Sequence, residues 1–324
     1  MSDLASQVVG GDRRALARAI TLVESTRPDH RADASDLLDE VLPGTGGSVR
    51  VGISGTPGAG KSTFIEALGL FLTDRGHRVA VLAVDPSSGR SGGSILGDKT
   101  RMGELPRRES AFVRPSPTGG TLGGVARRTR EAMLLCEAAG FDVVLVETVG
   151  VGQTEAAVAG MVDVFVLVLA PGAGDELQGI KRGVIELADI VVVNKADGEL
   201  AAAARQVAAD YASALRLVRP RTPGWEPRVL LVSALEGRGV DELWLTVEEF
   251  RASLSESGAI DRRRAEQARE WMWAEVSETL LESLRGDDDV AALAERLEQD
   301  VAEGSVSPTA AAQEMLRAFR GTSR

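Results

Sequence analysis

Residues 49–64 read VRVGISGTPGAGKSTF. An apolar, β-branched run stops at Gly55, a glycine-rich turn follows, and Lys61 opens a stretch with helical spacing. Gly55-x4-Gly60-Lys61-Ser62 between a strand and a helix is the pattern of a phosphate-binding loop. Its glycines let backbone N–H groups turn inward toward phosphate oxygens, and the helix N-terminus adds a favourable dipole. Gly55, Thr56, Pro57, Gly58, Ala59, Gly60, Lys61, Ser62 and Thr63 form the expected cradle. Lys61 is placed to reach the β- and γ-phosphates, and the Ser62 hydroxyl to ligate Mg2+.

Outward from this stretch, short apolar runs alternate with helical patterns. The runs are VRVGIS, RVAVLAV, AFVRP, FDVVLVE, DVFVLVLA, DIVVVNK and RVLLVS. Several are apolar throughout, which suits strands buried on both faces of a mainly parallel sheet. The expected fold is α/β, a P-loop domain over residues 46–257 with helices on both faces and right-handed crossovers. Residues 1–45 read as a helical segment, with Asp12 as a cap and Leu16, Ile20 and Val23 on one face; Leu37, Leu38, Val41 and Leu42 suggest another helix. Residues 258–324 read as helices alone. Trp273, Val276, Leu280 and Leu284 form one stripe, Val290, Leu293, Leu297 and Val301 a second, and Met315, Leu316 and Phe319 follow Ser307-Pro308 in a third. The stripes suit a dimer arm or a lid on the same chain equally well.

The 324 residues carry a formal net charge of −11, with 44% hydrophobic and 26% charged residues. That balance argues against non-specific nucleic-acid binding and against docking on anionic membrane. No apolar run is long enough to span a bilayer, and the first residues have no secretory pattern. Cys136 is the single cysteine. It excludes a disulfide framework and reads as a buried filler, and the expected location is cytoplasmic. Of 37 basic residues four are lysine, namely Lys61, Lys99, Lys181 and Lys195. A compact ammonium is not interchangeable with a guanidinium fork, so these positions draw notice.

A second motif addresses the base. Asn194-Lys195-x-Asp197 ends the run DIVVVNK, and Ser233, Ala234 and Leu235 end a later one. A carboxylate in the plane of guanine accepts hydrogen bonds from N1–H and N2–H2. Adenine would leave that carboxylate unpaired. GTP and GDP are therefore the expected nucleotides. In FDVVLVETVGVGQ, Glu147 is placed to act on Mg2+ and the Gly150 N–H to meet the γ-phosphate. Gln153 lies three residues beyond that glycine and not next to it, which predicts slow intrinsic hydrolysis. Gln153, a switch lysine and a group from a partner are the candidates for positioning water. Residues 85–102, DPSSGRSGGSILGDKTRM, are long and glycine/serine-rich for a strand end. Asp85 and Asp98 at its two ends can both reach one Mg2+, so the segment reads as a switch ordered by γ-phosphate, with a passive loop as the plain alternative. Lys181 ends GAGDELQGIK at the same sheet edge.

Together, GISGTPGAGKST, VDPSSGRSGGSILGDKTRM, ETVGVGQTE, PGAGDELQGIK and NKAD closely resemble the MeaB/ArgK family of P-loop GTPases, over essentially the whole chain. Its human member is the methylmalonic aciduria type A protein. The resemblance implies a GTP-hydrolysing chaperone of an adenosylcobalamin-dependent acyl-CoA mutase, usually methylmalonyl-CoA mutase, that gates cofactor loading and protects the mutase. It implies that Ser62, Asp85, Asp98 and Glu147 surround Mg2+ and that residues 172–182 form another switch; Lys61, Asp98, Glu147, Gln153 and Lys181 are the candidate catalytic residues. It also implies a homodimer through the C-terminal helices. The alternatives are a protein kinase linked to amino-acid transport and a metal-delivery GTPase. The first lacks an acceptor site in the sequence, and the second usually carries His or Cys clusters absent here.

Overall fold

Strand β1 (Val49–Gly55) is buried along its whole length in the computed structural model. The structure describes residues 1–25, 27–84, 102–115, 122–148, 154–172 and 182–322. Around β1 stand β2 (Val79–Val84), β3 (Ala111–Arg114), β4 (Val143–Thr148), β5 (Val164–Leu169), β6 (Ile190–Val193) and β7 (Arg228–Leu231). The seven expected runs are these seven strands. Their order is β3-β2-β4-β1-β5-β6-β7, and every pairing is parallel. β2, β4 and β5 are also buried throughout, whereas the edge strand β7 alternates with solvent. Continuous apolar runs therefore mark central strands covered on both faces.

β2, β3 and β4 lie on one side of β1, and β5, β6 and β7 on the other. Strand order reverses at β1, and the crevice beyond the carboxyl ends at such a point is where α/β folds bind ligands. On one face, Val51 and Ile53 share a core with Phe64 and Leu68 of α4 (Lys61–Asp74) and Phe250 of α9 (Val240–Glu256). The other face is closed tightly. A Cβ on Gly52 would fall 2.9 Å from the side chains of both Val158 and Val162. Val158 lies on α6 (Thr154–Ala159), and α8 (Ala201–Leu215) adds Tyr211 and Leu215 beneath Leu167 and Val191.

The helices α1 (Asp3–Val9), α2 (Arg13–Val23) and α3 (Pro28–Val41) pack against α5 (Leu122–Ala138). Asp12 caps α2 as expected, its Oδ1 accepting from the Arg14 and Ala15 N–H groups at 2.8 Å each. Leu42 departs from the expected stripe. It begins a tight 3-10 turn with Pro43 and is 54% exposed, since the residue before proline disfavours helix. Between β5 and β6 stands the four-residue helix α7 (Arg182–Ile185).

The chain divides into two compact units, Met1–Gln267 and Ala268–Arg324. In the first, the amino-terminal edge of the sheet is a network of buried charge. Arg50 on β1 grips Glu137 of α5 through two hydrogen bonds of 2.7 and 2.8 Å. Ser48 Oγ and the Gly46 N–H also donate to Glu137. Asp163 receives the guanidinium of Arg264 at 2.6 and 2.8 Å and the Arg50 N–H at 3.0 Å. Arg264 and Gln267 lie on α10 (Ala259–Arg285), and Gln267 Nε2 donates to Val162 O at 3.0 Å. In the second unit, α11 (Asp288–Ala302) is capped by Asp287, which accepts from the Val290 N–H. Ser307 Oγ accepts from the Ala310 N–H at the start of α12 (Pro308–Thr322). Val290, Leu297 and Ala311 are buried, while Trp273, Val276 and Leu280 are exposed. No helix among the described residues is long and apolar enough to cross a membrane.

Burial opposes ionisation of Glu137, but the hydrogen bonds and charge of Arg50, together with Ser48 and Gly46, outweigh it. Its pKa lies below the ordinary 4.5. A carboxylate depressed in the folded state contributes stability above its unfolded pKa and loses it as pH falls through the folded value. Glu137→Gln leaves the Arg50 guanidinium without an anion, and the expected loss at pH 7 is about 3–5 kcal/mol by urea denaturation. The gap between wild type and variant should narrow on acidification below the ordinary glutamate range. A gap that stays constant there contradicts the assignment.

Candidate nucleotide-binding site

Beyond Gly55 the chain turns sharply into α4. Gly58 and Gly60 hold φ values of 81° and 82°, a region that side chains rarely adopt. Gly60 is constrained twice, because a Cβ there would lie 2.9 Å from the amide nitrogen of Asn194. Lys61 is the first residue of α4, and its Nζ donates to the Gly55 and Thr56 carbonyls at 2.8 and 3.3 Å. The ammonium therefore stands across the loop, beside backbone amides that a phosphate would meet.

Asn194 ties this loop to the rest of the carboxyl edge. It leaves β6, and its Nδ2 donates to Ala59 O at 2.9 Å while its Oδ1 accepts from the Ala234 N–H at 3.1 Å. One buried amide thus joins the phosphate loop and the turn after β7. Lys195 follows at φ 58°, the one positive-φ residue other than glycine among those described. That turn of the backbone lets Ala196 N–H bond to Val232 O at 3.1 Å. The Asp197 carboxylate accepts from Ser233 Oγ, and Ser233 Oγ accepts from the Glu236 N–H at 3.2 Å. The Asp197 oxygens are thereby oriented by a hydroxyl, as a rigid reader of paired N–H donors requires. Leu235 is 82% exposed, an apolar side chain beside this carboxylate loop.

Ser62, one residue into α4, places Oγ 3.5 Å from Glu147 Oε1 at the end of β4. Glu147 is buried and all the donors here are oxygen, the chemistry of a hard divalent cation. Of the four expected metal ligands, Ser62 and Glu147 are thus brought together. Asp85 and Asp98 lie outside the described residues, as do Lys99, Gly150, Gln153 and Lys181. The expected switch 85–102 shares that position apart from Met102, which is buried.

Two features escape sequence reading. Arg238 Nη2 reaches Ala196 O at 3.4 Å, and its backbone pairs with Ser233, so it closes the turn behind the Asp197 loop. Thr148 Oγ1 donates to Ser54 Oγ at 2.8 Å, and both residues are buried. The signal for the second pair is slight: each is a single hydroxyl at the end of an apolar run.

Comparison with known proteins is consistent across methods. The family described as methylmalonyl-CoA mutase-associated GTPase MeaB matches residues 16–289. A probable GTPase of Mycobacterium tuberculosis is 58% identical over 321 residues, covering 99% of this chain and 96% of that protein. The mitochondrial methylmalonic aciduria type A homolog of Mus musculus is 51% identical, covering 97% of this chain and 78% of its own. The GTPase ArgK of Escherichia coli is 52% identical over 86% of this chain and 84% of its own. Among solved structures, a LAO/AO transport system kinase aligns with TM-score 0.77 and 40% identity over 98% of this chain and 97% of that one.

Asn194→Ala removes the bridge and strands a buried backbone donor and acceptor. The expected result is a loss of about 1–3 kcal/mol in stability, together with GDP affinity weakened roughly tenfold or more by release of two loops. Chemical denaturation and calorimetry measure the two. A variant with wild-type affinity would show that the bridge does not organise the site.

Proposed function

The chain belongs to the MeaB family of methylmalonyl-CoA mutase-associated GTPases, and on that premise we propose that it is a guanine-nucleotide-driven chaperone of an adenosylcobalamin-dependent acyl-CoA mutase. The P-loop and the family membership imply GTP and GDP binding. The observation that carries the reading of the site is Asn194, whose amide spans from Ala59 to Ala234, next to Ser233, which donates to the Asp197 carboxylate. Phosphate recognition and base recognition are thereby locked into one pocket geometry.

In this reading the amides from Gly58 to Ser62 hold the phosphates, Lys61 neutralises the charge that develops on them, and Asp197 reads guanine. Mg2+ supplies charge neutralisation when bound. Ser62 and Glu147 would hold it, with Asp85 and Asp98 as the further ligands that the sequence suggests. Glutamine is not adjacent to Gly150, so intrinsic hydrolysis is slow and a partner raises it. Methylmalonyl-CoA is the favoured substrate class of the partner, because the family description and the mouse homolog's name both point to methylmalonate metabolism. The exposed Trp273, Val276 and Leu280 support a homodimer through the C-terminal helices, the net charge of −11 supports a protein that avoids nucleic acid and anionic membrane, and the single cysteine, Cys136, supports a cytoplasmic location.

Asp197→Asn inverts the donor pattern offered to the base. The variant should bind GDP about 10²–10⁴-fold more weakly and prefer xanthosine diphosphate; an unchanged preference for GDP, read by calorimetry, refutes the placement of the base. Capture of purified methylmalonyl-CoA mutase by the immobilised protein should differ between GDP and a non-hydrolysable GTP analogue. Mutase that fails to bind in either state, or phosphate appearing on a protein and not in solution, removes the chaperone reading. Light scattering should give the mass of two chains, and a single-chain mass rejects the dimer.

A further inference from the structure

Behind the phosphate loop, on the sheet face away from α4, lies the hydroxyl pair Thr148–Ser54. Thr148 is fully buried and Ser54 is 1% exposed. Thr148 is the last residue of β4 and directly follows Glu147; Ser54 directly precedes Gly55. Side chains alternate across a strand, so Glu147 points to the α4 face and Thr148 to the other. The two strands run in register, Ile53 beside Glu147. The 2.8 Å bond is thus a side-chain cross-link between neighbouring central strands at the point where each leaves the sheet.

Ser54 is itself held in place. A Cβ on Gly55 would stand 2.0 Å from the carbonyl oxygen of Val168, so the end of β1 is pressed onto β5. Position passes from β5 through Gly55 and Ser54 to Thr148, and from Thr148 through one peptide unit to Glu147. The Glu147 carboxylate then stands 3.5 Å from Ser62 Oγ across the loop. A methyl group against the Ser54 oxygen would need roughly 3.5 Å or more in place of a hydrogen-bond distance. A methyl at the Thr148 Oγ1 position therefore displaces the end of β4 and Glu147 with it, whereas removing the Ser54 hydroxyl deletes the bond that holds Thr148 in place.

We propose that Thr148, through its hydrogen bond to Ser54, is a positioning residue for nucleotide hydrolysis, setting the Glu147 carboxylate against Ser62. The inference rests on the GTPase reading above and adds to it a residue that touches neither nucleotide nor metal. A small misplacement of a group that acts on the reacting centre lowers the chemical step while leaving remote binding contacts intact.

The test uses the full chain with Thr148→Val, which keeps the shape, Thr148→Ser, which restores the hydroxyl, and Ser54→Ala. GTP hydrolysis in Mg2+ buffer is measured as kcat and KM, and GDP binding by calorimetry with and without Mg2+. The expected result for Thr148→Val and Ser54→Ala is a roughly tenfold fall in kcat with KM within about twofold. Affinity for GDP without Mg2+ should hold, while the tightening that Mg2+ brings shrinks. Thr148→Ser should recover most of the rate, and the double variant Ser54→Ala/Thr148→Val should lose no more than either alone. Wild-type kcat in Thr148→Val, a rate that Thr148→Ser does not restore, or equal losses with and without Mg2+ each overturn the proposal. If Thr148→Val does not fold, Ser54→Ala alone decides by the same readouts. Absence of GDP and GTP binding in the wild type would instead sink the underlying GTPase reading.

Discussion

No side chain fits at residue 55. The carbonyl of Val168 occupies the place where a Cβ would be, so β1 can reach its full pairing with β5 only if glycine stands there. The end of β1 depends on that close approach. It fixes the height at which β1 ends and therefore where the phosphate loop begins. Ser54, the residue before Gly55, meets Thr148 on β4, and Glu147 next to Thr148 stands 3.5 Å from Ser62 on α4. A larger residue would separate β1 from β5 and disturb each of these contacts together.

The two edges of the sheet solve different electrostatic problems. At the amino-terminal edge, buried charges are matched within the protein: Arg50 with Glu137, Arg264 with Asp163, and Arg221 with Asp189. The last pair shows the cost of burial. Asp189 accepts from Thr222 Oγ1 at 2.5 Å and from the Phe165 N–H at 2.9 Å, yet desolvation still pushes its carboxyl above the ordinary range. Burial likewise pushes the Arg221 guanidinium down despite its partner. Such pairs specify a geometry more than they stabilise it. Here they root α10 on the sheet through Arg263, Arg264 and Gln267. At the carboxyl edge stand the loop amides, Lys61 bonded to the Gly55 and Thr56 carbonyls, the buried Glu147, and an aspartate steadied by a hydroxyl.

Asn194 and Ser233 tie together loops that come from distant parts of the chain. Both use side chains to hold other recognition elements, Asn194 through Ala59 and Ala234, Ser233 through Asp197. Asn194 and Asp197 therefore each have an internal bonding partner before any nucleotide arrives. Preorganisation of this kind reduces the ordering cost of binding. The C-terminal helices differ from this edge, since Trp273 and Leu280 expose apolar surface.

Local chemistry made much of this legible from the chain alone. Continuous apolar runs identified seven strands, glycine spacing identified the turn from β1 into α4, and Asp12 announced the cap of α2. These features depend on periodicity and on the conformational limits of glycine, proline and short polar side chains, which act over a few residues. Tertiary structure alone decided that β4 enters between β2 and β1, that Arg50 meets Glu137 87 residues away, and that Ser54 meets Thr148 94 residues away. Neither hydroxyl carries a motif, and neither charge of the Arg50–Glu137 pair differs in sequence from a solvated one. Their partners are set by which strands lie side by side, a long-range outcome of burying both faces of one sheet that no local pattern contains.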